Sequence, residues 1–188
     1  PAGVMSKDVI LRLIGDLGAD GANYKALEFA GSAVDSMSIA SRMTIANMSV
    51  EAGAKAGLFA PDEKVAEYCG VSIEEIPDIS ADENAKYAKE IRYKAEELVP
   101  VVACPSSVDK IKPVTEVEGT PIDQVFIGSC TNGRLEDLEI AAKILEGKKV
   151  ADYVKLIVTP ASREVYRQAS EAGILETLIK AGAIVTHP

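Results

Sequence analysis

The stretch that decides the fold is VFIGSCTNGRLEDL, residues 125–138. In it an aliphatic run ends in Gly-Ser-Cys, and a helical pattern starts just after Asn132-Gly133. Aliphatic runs bounded by turn residues are typical of strands that are buried in parallel sheets. We therefore predict a strand, a tight turn and a helix, with Cys130 at the carboxyl end of the strand and near the N-terminus of the helix.

The same alternation continues to the end of the chain. Strands are predicted at 124–127, 154–158 and 183–185, and helices at 135–145, 162–172 and 175–180. Strands separated by helices of this length predict βαβ units with right-handed crossovers and a parallel sheet. The predicted fold class is therefore α/β.

The earlier part of the chain has a less regular pattern. We predict helices at 6–14, 38–52 and 62–68, strands at 24–29 and 90–98, an extended segment at 100–105 and a proline-punctuated connector at 106–121. Residues 70–86 are acidic and are read as loop plus helix. A domain boundary is placed near residue 105, which gives one domain at 1–105 and a second at 106–188.

Composition narrows the class of function. The net charge is −9, from 29 acidic and 20 basic residues, which argues against a nucleic-acid-binding module. No apolar run approaches the ~18 residues of a membrane span, so we expect no membrane contact and a cytoplasmic setting. Three cysteines at wide spacing, Cys69, Cys104 and Cys130, favour reduced thiols over a disulfide framework.

Cys130 is the first candidate site residue. A strand end beside a helix N-terminus stabilises a thiolate, the form that binds metal or attacks an electrophile. Its small neighbours would also let a bulky cofactor approach the backbone. From the residues alone another interpretation stays open: a small buried hydrophobe at a tight turn, with Asn132 capping the helix.

Asn47 and Glu51 are the second candidate, in MTIANMSVEAGA, residues 43–54. On a helix they are four residues apart and point from one face, so an amide and a carboxylate could hold a water molecule together. The alternative is an exposed polar pair on an amphipathic helix.

Both segments carry a resemblance to a known family. Residues 128–138 and 43–54 resemble signature segments of the large subunits of the aconitase superfamily, and shorter stretches at 61–63 and 159–166 are similar to the same subunits. Gly133-Arg134 after Thr-Asn is more similar to the isopropylmalate dehydratase and homoaconitase branch than to mitochondrial aconitases.

The resemblance implies aconitase-like three-layer α/β/α domains with mostly parallel sheets. It also implies a [4Fe–4S] cluster with Cys130 as one of three thiolate ligands, and catalytic roles for Asn47 and Glu51 beside that cluster. The expected reaction is isomerisation of a hydroxy di- or tricarboxylic acid by dehydration and rehydration. The first expectation within the family is 3-isopropylmalate dehydratase, an enzyme of leucine biosynthesis. Homoaconitase and aconitase are the alternatives, and the expected partner is a small, swivelling-domain subunit.

In the family, a Cys-x-x-Cys pair supplies the other two ligands just after the segment matching Thr186-His187-Pro188. We therefore expect this chain to be an interior piece that by itself neither holds the cluster nor turns over substrate. Two further hypotheses are a non-catalytic relative that keeps only the fold, and a thiol enzyme that pairs Cys130 with His187, the one histidine. The roles of Cys69, Cys104 and Arg134 stay open.

Overall fold

Two units divide the chain, Pro1–Glu118 and Gly119–Pro188, in the computed structural model, which describes residues 1–188. The helices of the first unit are α1 (Ser6–Leu17), α2 (Ser32–Ser36), α3 (Ile39–Met48) and α4 (Glu63–Cys69). Its strands are β1 (Ala26–Phe29), β2 (Ala56–Phe59), β3 (Val101–Ala103) and β4 (Ile111–Pro113). None of the helices in the chain has the length and apolar character that a membrane span requires.

Helix α1 supplies the centre of the first core. Its apolar residues recur at helical spacing, so Ile10 and Ile14 are fully buried against Ile45 of α3. Asp8 fixes the start of the helix: its carboxylate accepts from the backbone N–H of Met5 at 2.7 Å and from that of Val101 at 2.8 Å. One side chain therefore caps α1 and ties it to β3.

The first unit contains two small sheets. Strands β1 and β2 are parallel, and the rings of Phe29 and Phe59 stack across the pair with centroids 5.1 Å apart. Strands β3 and β4 are antiparallel. The predicted boundary near residue 105 falls between β3 and β4, whereas Ile111 of β4 packs on the core of the first unit. The pairing of β3 with β4 explains why the units divide between Glu118 and Gly119.

A partly buried ion pair joins α3 to α4. Arg42 has only 6% of its side chain exposed, and its Nη2 lies 2.5 Å from Oδ2 of Asp62. The other carboxylate oxygen of Asp62 accepts from the N–H of Val65 at 3.2 Å and so caps α4. The hydrogen bond from Arg42 holds the pKa of Asp62 below its usual range.

We expect Asp62→Asn to lower the free energy of unfolding by about 2 kcal/mol at about pH 7, because the buried guanidinium loses its charged, partly exposed partner. A carboxyl whose pKa is depressed in the folded state stabilises above its unfolded pKa and loses that contribution as the pH falls through the folded pKa. The difference between the two proteins should therefore shrink below about pH 4. Urea unfolding at several pH values measures it, with exposed Glu63→Gln as control, and a pH-independent difference would contradict the prediction.

The second unit is the predicted α/β domain. Its strands are β5 (Gln124–Gly128), β6 (Lys155–Thr159) and β7 (Ile184–Val185), and its helices are α5 (Ser129–Asn132), α6 (Leu135–Leu145), α7 (Arg163–Glu171) and α8 (Ile174–Ala181). The three strands form a parallel sheet in the order β5-β6-β7. This arrangement confirms the α/β class with mostly parallel sheets.

The two faces of this sheet differ. Leu156 and Val158 of β6 are buried among Leu138 of α6 and Leu178 of α8, so the helices cover one face. On the other face Phe126, Ile157 and Ile184 are register partners in one row across the sheet, and Phe126 and Ile184 are 54% and 51% exposed. The helices of this unit thus form one of the layers that the three-layer architecture requires.

Two sequence predictions in the first unit are wrong in detail. Residues 90–98 form no strand and contain only a 3-10 turn at Ala95–Glu97. The helix predicted at 38–52 begins after its Ser38 cap but ends as an α-helix at Met48, and a 3-10 turn at Ser49–Ala52 follows. The hydroxyl of Ser49 donates to the carbonyl of Ile45 at 3.0 Å, a local bond that competes with the regular helical pattern.

Candidate functional site

The carboxyl ends of β5, β6 and β7 meet at one edge of the sheet in the second unit. Gly128 and Thr159 are register partners, and the N–H of Thr186, just past β7, donates to the carbonyl of Val158 at 2.9 Å. The hydroxyls of Thr159 and Thr186 lie 2.5 Å apart. Because open α/β sheets bind ligands beyond their carboxyl strand ends, this edge is the candidate site.

Two glycines bring the loop after β5 against the end of β6. A Cβ atom on Gly128 would lie 2.2 Å from the carbonyl oxygen of Thr159, and one on Gly133 would lie 2.8 Å from the same oxygen. The N–H of Ala161 donates to the carbonyl of Gly133 at 2.8 Å. Backbone of the neighbouring strand end therefore fills the space into which a side chain at either glycine would point.

Cys130 lies in the short turn that this packing creates. It is the second residue of α5, its thiol is exposed, and it forms no disulfide. The hydroxyl of Ser129 is 3.9 Å from its sulfur, and Ser129 has a φ of 62°, a left-handed conformation that is uncommon for a residue with a side chain. The exposure excludes the alternative of a buried hydrophobe and leaves the thiol accessible at the strand-end edge.

Asp137 caps the start of α6 and binds the loop that lies between Cys130 and that helix. The backbone N–H of Arg134, the N-cap residue of α6, donates to Oδ2 of Asp137 at 3.0 Å. The side-chain amide of Asn132 donates to Oδ1 of Asp137 at 3.3 Å. Asn132 is therefore not the helix cap, as one interpretation of the sequence had it. Burial raises the pKa of Asp137, which is 9% exposed.

Asp137 was not identified as a site residue from the sequence. An acidic residue three positions after the N-cap of a helix is a capping signal, and this signal could have identified Asp137. Two polar atoms of the same loop, Oδ1 of Asn132 and Nε of Arg134, are buried without a hydrogen-bond partner.

Asn47 and Glu51 are both exposed in the first unit. They flank the change from α3 to the 3-10 turn, and Val50 between them is 63% exposed, whereas Met48, Ser49 and Ala52 face the core. The tighter winding, about three residues per turn, rotates Glu51 further from Asn47 than a continuous α-helix would. Both residues still lie on the exposed side of one segment.

The structure also places the two remaining thiols and the histidine. Cys69 is exposed at the last position of α4, and Cys104 is half-buried with its N–H donating to the carbonyl of Lys110 at 2.8 Å. The ring of His187 stacks on that of Tyr166 with centroids 6.1 Å apart. No three His, Cys, Asp or Glu side chains converge as a metal site within the chain.

Comparison with known proteins identifies similar chains. The model of the Aconitase family (aconitate hydratase) matches residues 1–119 and 110–188. The chain is 53% identical over 190 residues to "3-isopropylmalate dehydratase large subunit 2" of Archaeoglobus fulgidus, and 53% identical over 188 residues to "3-isopropylmalate dehydratase large subunit" of Elusimicrobium minutum. It is 48% identical over 186 residues to "Probable methanogen homoaconitase large subunit" of Methanothermobacter thermautotrophicus.

These alignments cover 100%, 99% and 98% of the chain, respectively. They cover only 46%, 45% and 44% of the three relatives, so the chain spans less than half of the length of each.

Proposed function

The chain belongs to the aconitase family, and from that premise we propose that it forms part of the large subunit of a 3-isopropylmalate dehydratase. The observation that carries the proposal is identity of about half the residues, along the whole chain, to subunits of that name. The exposed thiol of Cys130 at the strand-end edge supports it, because a ligand to a cofactor must be accessible.

The donor chemistry of this edge fits an iron–sulfur cluster in part. A thiolate is the ligand that such clusters prefer, and Cys130 offers one. In the complete enzyme Cys130 would hold one iron, and the cluster would supply a Lewis acid for the hydroxyl and carboxylate of the substrate. The loop that carries the thiol is held by backbone packing at Gly128 and Gly133, so the ligand is presented from a fixed position.

Asn47 and Glu51 are proposed as the polar groups of the active site. The carboxylate oxygens of Glu51 can accept a hydrogen bond from a water molecule, and the side-chain amide of Asn47 can donate one to an anionic group. Both are exposed on one segment, as such a role requires. Orienting water matters in this reaction, because hydroxide leaves one carbon of the substrate and water adds to its neighbour.

The proposed partner is a small subunit, which the words "large subunit" in the names of the relatives imply. The proposed substrate is a small hydroxy dicarboxylic acid. The proposed compartment is the cytoplasm, where thiols that form no disulfide, such as the three of this chain, persist. Homoaconitase is the second candidate, because a relative of that name is 48% identical to the chain.

The test is an isomerase assay. A large subunit that contains this chain is combined with its small subunit, reconstituted anaerobically with iron and sulfide, and offered isopropylmalate, homocitrate, citrate and a methylmalate-type diacid. We expect the highest kcat/KM with isopropylmalate. A preference for homocitrate would replace the proposal by the second candidate, and no turnover of any of the four would overturn both.

A further inference from the structure

The loop of residues 129–134 has two attachments to the second unit. On one side Gly128 and Gly133 pack against the backbone at the end of β6. On the other side both carboxylate oxygens of Asp137 accept from the loop, one from the N–H of Arg134 and one from the side chain of Asn132. The first attachment is made by main chain alone, whereas the second depends on one side chain.

Asp137 caps the start of α6 and, like Asp8 at the start of α1, makes a second hydrogen bond beyond the cap. A serine at position 162 caps α7 of the same unit through a single oxygen and without a buried charge. The carboxylate of Asp137 is instead nearly buried beside fully buried Leu138, which costs solvation free energy. Its second oxygen binds the side chain of Asn132, two residues after Cys130, which a cap at Arg134 does not need.

We propose that Asp137 is a positioning residue for the thiol of Cys130, acting through Asn132 and the backbone of Arg134. The carboxylate fixes the loop at two points beyond the cysteine, while the glycines fix it before and after. The thiol is thereby held at the strand-end edge in one conformation rather than several. This inference rests on the proposed function for its purpose, since a cluster ligand benefits from a fixed position.

The experiment uses this chain without a partner or cofactor. Cys69 and Cys104 are replaced by serine, so that Cys130 is the one thiol. Two quantities are measured: the rate of alkylation of Cys130 by iodoacetamide as a function of pH, and hydrogen exchange of peptides that cover the loop. In Asp137→Ala we expect both rates to rise by about threefold or more. Hydrogen exchange rises because the loop opens locally, and alkylation rises because the exposed thiol is no longer confined to one orientation. Asp137→Asn keeps one acceptor oxygen and should give a smaller rise in both.

The matched control is Ile174→Val, which removes one buried methylene from the same core at a helix away from the loop. It lowers the stability of the unit without touching residues 129–134. The proposal is overturned if the control raises the two rates as much as the Asp137 variants do, or if the Asp137 variants leave both unchanged.

Should Asp137→Ala fail to fold, Asp137→Asn carries the same comparison. Because no cluster or substrate takes part, a negative result here leaves the dehydratase proposal standing. An inactive assembled enzyme would in turn leave this result unaffected.

Discussion

Replacing Cys130 with serine should reduce the activity of the assembled dehydratase by more than about 100-fold, because even groups behind the ligands of a metal site are worth about 10- to 100-fold. Serine keeps the size and hydrogen-bonding capacity of the side chain but is a poor ligand for iron. The same variant should lose most of its bound iron and acid-labile sulfide. Both quantities are measured on large subunit reconstituted with its partner.

Cys69→Ser provides the control, since Cys69 is also exposed but lies at the end of α4 in the other unit. It should retain full iron content and activity. A Cys130→Ser enzyme that is inactive yet keeps its full complement of iron and sulfide would contradict the ligand role and favour the nucleophile hypothesis instead. Full activity in that variant would exclude both.

The regular α/β part of the fold could be predicted from the sequence because its strands are short aliphatic runs and its helices are bounded by caps or turns. The helix predicted at 135–145 is present as Leu135–Leu145, and the strand predicted at 154–158 is present as Lys155–Thr159. Local signals there agree with the tertiary structure, since the aliphatic strands are those that the helices bury.

The parts that could not be predicted depend on contacts between distant residues. Whether residues 111–113 form a strand is decided by β3, which precedes them in a separate stretch of sequence. Residues 90–98 alternate as a strand does but find no partner in the structure, and a strand without a partner is not stable. The change to 3-10 winding at Ser49 likewise follows from a side-chain bond to Ile45 that no periodicity reveals.

The candidate site likewise has features that could be predicted from the sequence and features that could not. The position of Cys130 at the end of a strand follows from the apolar run before it, and the structure has it there. The purpose of the flanking glycines could not be derived, because it depends on Thr159, which lies on another strand. Capping by Asp137 rather than Asn132 was not predicted, although an acidic residue at the third helical position is the sequence signal for it.

Replacing Gly128 with alanine should destabilise the second unit by about 3 kcal/mol or more, the range of severe overpacking in a folded core. Two costs add. The backbone at Gly128 has a φ of 150°, which residues with a side chain rarely adopt, and the new Cβ would lie 2.2 Å from the carbonyl oxygen of Thr159. That neighbour is main chain in the middle strand of the sheet and cannot move aside without breaking the pairing with β5.

Gly147→Ala separates these two costs. Gly147 belongs to the same unit and has a φ of 69°, but a Cβ there would meet no atom within 4 Å. It should therefore cost only about 1 kcal/mol, the conformational part alone. Urea unfolding of both variants, combined with alkylation of Cys130, tests the comparison. If the two glycines prove equally replaceable, the loop is not held by contact with β6, and the fixed presentation of the thiol loses its main physical basis.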